Sequence, residues 1–165
     1  MNAQDIIKHY SMQPLPDEGG YYVETYRAED TIPHHALHER YTGDRHYGTS
    51  ILYLITPTSF SRMHKVKSDE IFHFYLGDPV EMLQLKPDGT GELITMGQGI
   101  TAGHRQQTVV KNGIWQGTKL KGNGKYALLG CTVSPGFEFT DYQSATCQQL
   151  TKKFPKHHSM IKELT

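Results

Sequence analysis

From Tyr21 to Val133 the chain reads as short segments of alternating or continuous apolar residues, cut every 8–12 residues by glycine, proline, asparagine or aspartate. That is the pattern of strands and turns. Strands are predicted over Tyr21–Arg27, Thr49–Ile55, Ser59–His64, Asp69–Leu76, Val80–Lys86, Glu92–Met96, Gln107–Val110, Ile114–Leu120 and Tyr126–Val133. Gly77-Asp78-Pro79 and Pro87-Asp88-Gly89 are the clearest turns between them. Within Asp69–Leu76, period-2 alternation puts Glu70, Phe72, Phe74 and Leu76 on one face and Ile71, His73 and Tyr75 on the other. Both faces are largely apolar, so the strand is expected to be covered on both sides.

The ends of the chain have a different period. Asn2 can cap a helix over residues 3–11 whose apolar face is Ile6, Ile7 and Tyr10. Pro14, Pro16 and Gly19-Gly20 then turn the chain into the strands. Ala145–Thr165 reads as helical, with Pro155 separating two pieces. Many short strands flanked by terminal helices predict an all-β sandwich or barrel of one domain, residues 1–165, with the barrel at about 20–140 and the helical tail at 145–165.

Composition narrows the function classes. Lysine plus arginine number 17 and aspartate plus glutamate 17, so no net field draws the chain to nucleic acid or an anionic membrane. No apolar run approaches the roughly 20 residues of a membrane helix, and the N-terminus lacks signal-peptide character. Cys131 and Cys147 have no metal-ligand spacing and are read as reduced thiols in a cytoplasmic protein.

The chemistry concentrates in Ser61–Asp78. His64 ends one strand and Glu70 opens the next, so a tight loop brings base and carboxylate to one rim of the sheet. Around these residues the sequence resembles the cupins, small jelly-roll (double-stranded β-helix) barrels. Their first motif, G…H-x-H-x3–4-E-x6-G, is matched by His64-Lys65-Val66, Glu70 and Gly77. Their second, P-x-G-x2-H, is matched in part by Lys111-Asn112-Gly113-Ile114-Trp115-Gln116. More narrowly, Glu18–Arg27, Ser61–Gly77 and Gly130–Phe139 resemble the small cupin family of unknown function described as predicted sugar epimerases.

That resemblance implies a cupin barrel, commonly a homodimer, with a cavity for a small polar molecule such as a nucleotide sugar. Metal-binding cupins use two histidines and a glutamate from the first motif and a histidine from the second. Here Val66 and Gln116 stand at two of those positions. His64, Glu70 and the weak amide ligand Gln116 are too few for a tight site, so no cofactor is expected beyond adventitious divalent metal. Metal-free relatives of the fold epimerise nucleotide-linked keto sugars with a histidine where His64 sits. His64 is therefore the expected base, with Glu70 orienting it or acting as a second acid/base. Tyr53, Arg62, Gln107, Trp115, Gln116 and Phe139 are the expected substrate-binding residues. Arg27 and Lys111 are further candidates for phosphate, and Tyr53, Tyr75 and Tyr142 for the second acid. The rival readings are a non-catalytic ligand-binding cupin and, behind it, a metal-dependent cupin enzyme.

Two remaining features read as structure. His34, His35, His38 and His46 lie in a polar segment between Pro33 and Gly48, better suited to a solvated loop than to zinc. Gly97–Gly103 has the glycines of a phosphate loop but not its lysine-serine pair, and reads as a connection between strands.

Overall fold

A computed structural model describes all residues 1–165. Helix α1 (Ala3–Tyr10) leads into strands β1 (Gln13–Pro14), β2 (Tyr21–Arg27), β3 (Thr31–Ile32), β4 (Arg45–His46), β5 (Thr49–Ile55), β6 (Ser61–Lys65) and β7 (Asp69–Gly77). Strands β8 (Val80–Leu85), β9 (Gly91–Met96), β10 (Gln107–Val110), β11 (Trp115–Leu120), β12 (Ala127–Ser134) and β13 (Gln143–Ser144) follow, then helices α2 (Cys147–Lys153) and α3 (His158–Glu163). The strands form a six-stranded sheet in the order β1-β2-β5-β12-β7-β10 and a five-stranded sheet in the order β13-β6-β11-β8-β9. The two stack as a jelly-roll, with β3 and β4 forming a separate ribbon. The two-residue strands β1, β3, β4 and β13 were not predicted, since so few residues carry no period.

Three packed layers follow from the alternation. Between the sheets lie Phe72, Phe74, Val80, Met82, Ile94, Met96, Leu129 and their neighbours. Outside the five-stranded sheet, the C-terminal helices seat Leu150, Phe154, Ile161 and Leu164 on Met63, Leu83 and Leu85. Outside the other sheet, Ile6 and Met12 pack on Leu54 and Leu128. A reciprocal Asn2–Asp5 capping box starts α1. Ile7 joins this outer cluster, whereas Tyr10, expected on the same face, is exposed.

Two irregularities set side-chain directions that alternation alone cannot give. In β7, Leu128 is opposite Leu76 but Leu129 is opposite Phe74, so Tyr75 is an extra residue. Leu76 consequently packs with the outer cluster rather than with Phe74, contrary to the simple parity. Glycine at 130 accommodates the bulge, because a Cβ there would collide with the Tyr75 ring.

In β6, His64 is opposite Gln116 and Ser61 is opposite Thr118, so two residues of β6 face the single Gly117. Ser61 and His64, three apart, are thereby both fully buried on the side that meets Glu18. Gly117 marks the bulge for a steric reason: a Cβ would lie 2.8 Å from Met63 Sδ and 3.1 Å from Ser61 O.

Candidate active site

A cavity of about 240 Å³ opens between β1, β2 and the inner face of β5, β12 and β7. Its walls are apolar and aromatic, including Leu15, Tyr22, Ile51, Phe72, Val133 and Phe137. Its polar groups are Glu18, Glu70, Tyr53 and Cys131, with Gln13, Glu24, Arg27 and Thr49. Phe139 also lines it and is 57% exposed, which places that ring at the opening.

Glu70 is the group where chemistry gathers. The inward parity of β7 buries its carboxyl to 5% exposure. Burial, helped by the nearby Glu18, pushes it from 4.5 up to about 7, even though His64 and the amide of Gln116 favour the charged form. The Gln116 Nε2 group donates to Glu70 Oε2 at 3.4 Å and to His64 Nε2 at 2.9 Å. His64 is 1% exposed, and its Nδ1 donates to the bulge carbonyl of Arg62 at 2.7 Å. In the neutral ring that bond leaves Nε2 as the acceptor facing Gln116. His64 therefore sits behind the carboxylates and does not line the cavity.

Glu18 was not singled out in the sequence. Its Oε1 accepts from Ser61 Oγ at 3.0 Å and its Oε2 lies 3.6 Å from His64 Nε2. The turn that presents it is held by three contacts: Arg62 N–H to Glu18 O, Gly20 N–H to Ser59 Oγ, and Tyr53 OH to Gly19 O at 2.8 Å. Gly20 adopts φ +73°, and a Cβ there would lie 2.5 Å from the Tyr53 hydroxyl. Gly20→Ala is expected to cost about 1–3 kcal/mol from backbone strain, with Tyr53 displaced besides. Urea unfolding measures the loss, and an unchanged midpoint would mean that the turn does not hold this geometry.

A second unpredicted element braces the loop between His64 and Glu70. Asp141 accepts both Arg45 Nε at 2.8 Å and Arg45 NH2 at 2.6 Å in a buried bidentate pair. Lys67 Nζ approaches the same carboxylate at 3.6 Å. Tyr41, stacked beneath the Arg40 and Arg45 guanidinium groups, donates its hydroxyl to Lys67 O at 3.2 Å. The segment carrying Arg45 is thus clamped to the loop that separates the two motif residues.

The family model for the cupin superfamily domain of unknown function 985 matches residues 4–145. The chain belongs to this cupin family. A hypothetical protein from Leishmania major superposes with TM-score 0.88 at 30% identity, over 100% of this chain and 99% of the other. A protein from Shewanella oneidensis does so with TM-score 0.88 at 28% identity, over 100% and 98%. Oxalate decarboxylase from Bacillus subtilis shares the fold at TM-score 0.55 and 13% identity, over 93% of this chain and 37% of its own. No curated protein matches the chain.

This cupin places the predicted site residues in three different settings. His64, Glu70 and Gln116 come together in the buried cluster, and Tyr53 and Phe139 line the cavity with Glu70. Arg62, Gln107 and Trp115 do not reach the cavity. Arg62 is exposed in the β6 bulge, with NH1 3.4 Å from Asp17 O. Gln107 is exposed on edge strand β10 and pairs with His73 at 3.3 Å, on the outer face. Trp115 packs under the C-terminal helices with Lys65 above its ring, because adjacent strand residues face opposite ways and Gln116 takes the inward position.

Among the other candidates, Arg27 lines the cavity but is paired with both Glu24 and Glu138. Lys111 pairs with Asp69, away from the cavity. Tyr75 is exposed, and Tyr142 stacks on His64 at 5.1 Å with its phenol pushed up to about 12 by burial and by Glu18. The histidine segment is a structured loop: His34 Nε2 donates to Tyr41 O and His46 Nδ1 donates to Ala28 O. No group of three or more histidine, cysteine, aspartate or glutamate side chains converges as a metal cluster.

The donor set bears on the metal used by many cupins. The amide Nε2 of Gln116 points its hydrogens at both His64 Nε2 and Glu70 Oε2, the two retained ligand atoms. Gln116 offers only a weakly coordinating amide at this position, and Val66 contributes only a buried alkyl group. These residues do not fit a tight transition-metal site.

Proposed function

We propose that this cupin binds a small, neutral, hydroxyl-rich ring in the cavity and transfers a proton to or from it through Glu70. The observation that carries the reading is a cavity-lining carboxyl whose proton is held up to about 7, poised to give or take one near neutral pH. Hydroxyl donors suit the acceptors Glu18 and Glu70, and a sugar-like ring face suits the aromatic walls. The chemistry in view starts from a sugar that carries a carbonyl, from whose neighbouring carbon Glu70 takes a proton. Glu70 returns it to the former carbonyl carbon in an isomerisation, whereas an epimerisation needs a second acid on the opposite face, for which Tyr53 lines the cavity. His64 acts in this scheme through Gln116 and the electrostatics of Glu70, as a positioning residue rather than as the base.

The size and charge of the cavity favour a monosaccharide over a nucleotide sugar. Its volume of about 240 Å³ is below the roughly 300–1,000 Å³ typical of drug-sized ligands. Its lining carries Glu18, Glu24 and Glu70 against one arginine already engaged by two carboxylates, which opposes a diphosphate. A panel of neutral monosaccharides, screened by thermal stabilisation and by deuterium uptake from D2O, tests the reading. At least one sugar should stabilise the protein and exchange a carbon-bound hydrogen, and Glu70→Gln should slow that exchange about 10²–10⁴-fold. Binding without exchange would leave the non-catalytic reading. Preference for nucleotide sugars would overturn the proposed ligand class.

A further inference from the structure

A second pocket, of about 440 Å³, lies on the far side of the His64–Glu70 loop, lined by Arg40, Lys65, Lys67, Asn112, Gly113 and the Thr140–Gln143 segment. Arg40, Lys65 and Lys67 are all half-buried, and only Lys67 has a carboxylate within reach, the shared Asp141. Arg40 spends Nε on Lys67 O and NH2 on the Tyr41 hydroxyl. Lys65 has only the Trp115 ring, 4.7 Å from its Nζ. Lys67 has only Asp141, both of whose oxygens already accept the buried Arg45. Three cations thus line one pocket whose single carboxylate, Asp141, is already bound by Arg45.

We propose that this pocket binds a compact tetrahedral oxyanion, the phosphate group of a small phosphorylated molecule. Arg40, Lys65 and Lys67 line the pocket with charge-assisted donors, and their three positive charges outweigh its single lining carboxylate, Asp141. The second lysine-bearing pocket of the molecule lacks this character. There Lys119 lies within 4 Å of both Glu81 and Glu163, and the other lining lysine, Lys125, is exposed rather than half-buried. The site also touches the catalytic cluster proposed above without depending on it. Lys65 ends β6, Lys67 lies in the loop between His64 and Glu70, and Tyr142, in the pocket wall, stacks on the His64 ring.

Titration of the unmodified protein with inorganic phosphate, at ionic strength held constant with chloride and followed by backbone amide NMR, tests this. The expected result is saturable shifts clustered at Lys65, Lys67, Gly113 and Gln143. Lys67→Gln should weaken the phosphate affinity about tenfold, and Lys125→Gln, which removes the same charge from the other lysine-bearing pocket, should leave it unchanged. Absence of saturation, or shifts of equal size around Lys119–Lys125, would overturn the proposal, as would unchanged affinity in Lys67→Gln.

Discussion

Glu70→Gln is expected to make the protein more stable than wild type at pH 8 and to leave it about equally stable near pH 4. In the folded chain the Glu70 carboxyl is pushed from 4.5 up to about 7 by burial first and by Glu18 second. The folded state therefore holds a proton that the unfolded chain releases between those two values. Stability contributed by that proton is complete below about 4.5 and is lost as pH rises through about 7. The full shift corresponds to on the order of 3 kcal/mol, and a neutral glutamine escapes it. Denaturant unfolding of both proteins from pH 4 to 8 isolates this residue, because every other titrating group is common to both. The wild-type minus variant difference should grow across that window, and a difference independent of pH would show that Glu70 is solvated like an ordinary surface acid.

Arg45→Ala should be the most destabilising single replacement in the loop framework, by about 3–5 kcal/mol. It leaves the Asp141 carboxylate buried with only Lys67, at 3.6 Å, and removes one of the two cations stacked on Tyr41. Arg45→Met combined with Asp141→Leu removes both charges and should recover much of the loss, since a buried pair is costly mainly when broken. Urea midpoints of the single and double variants decide this. A single variant within 1 kcal/mol of wild type would mean that the pair is solvated enough not to brace the loop.

Much of the frame was legible because it repeats. Alternation in β7 placed Glu70, Phe72 and Phe74 inward and His73 outward, and the His64…Glu70…Gly77 spacing marked the family. What escaped lay in departures from repetition. The β6 bulge that turns Ser61 and His64 the same way is encoded by Gly117 on the neighbouring strand, and a glycine inside a strand was the available signal. Trp115 and Gln116 could not both face the cavity under strand parity, a contradiction visible before any coordinates. Glu18 sits in an irregular turn, where no period tells which way a side chain points. Arg45 and Asp141 lie 96 residues apart, each in a segment that reads as polar loop, so their pairing had no local signature.

The site also departs from the simplest expectation of the motif. His64 is the residue that the metal-free epimerase resemblance nominates, yet it is buried behind Gln116 and the carboxylates while Glu70 meets the cavity. The amide of Gln116 lies between them, with its own Oε1 left without a partner. Gln116 donates to the bare nitrogen of one and to the carboxyl oxygen of the other, satisfying two acceptors at once.

The most direct test of the account is a 13C NMR titration of the Glu70 side-chain carboxyl in the ligand-free protein, assigned by comparison with Glu70→Gln. A midpoint near 7 is predicted, because burial beside Glu18 holds the proton on a cavity-lining acid. A midpoint near 4.5, the ordinary value, would contradict the account and remove Glu70 as the proton-transfer group.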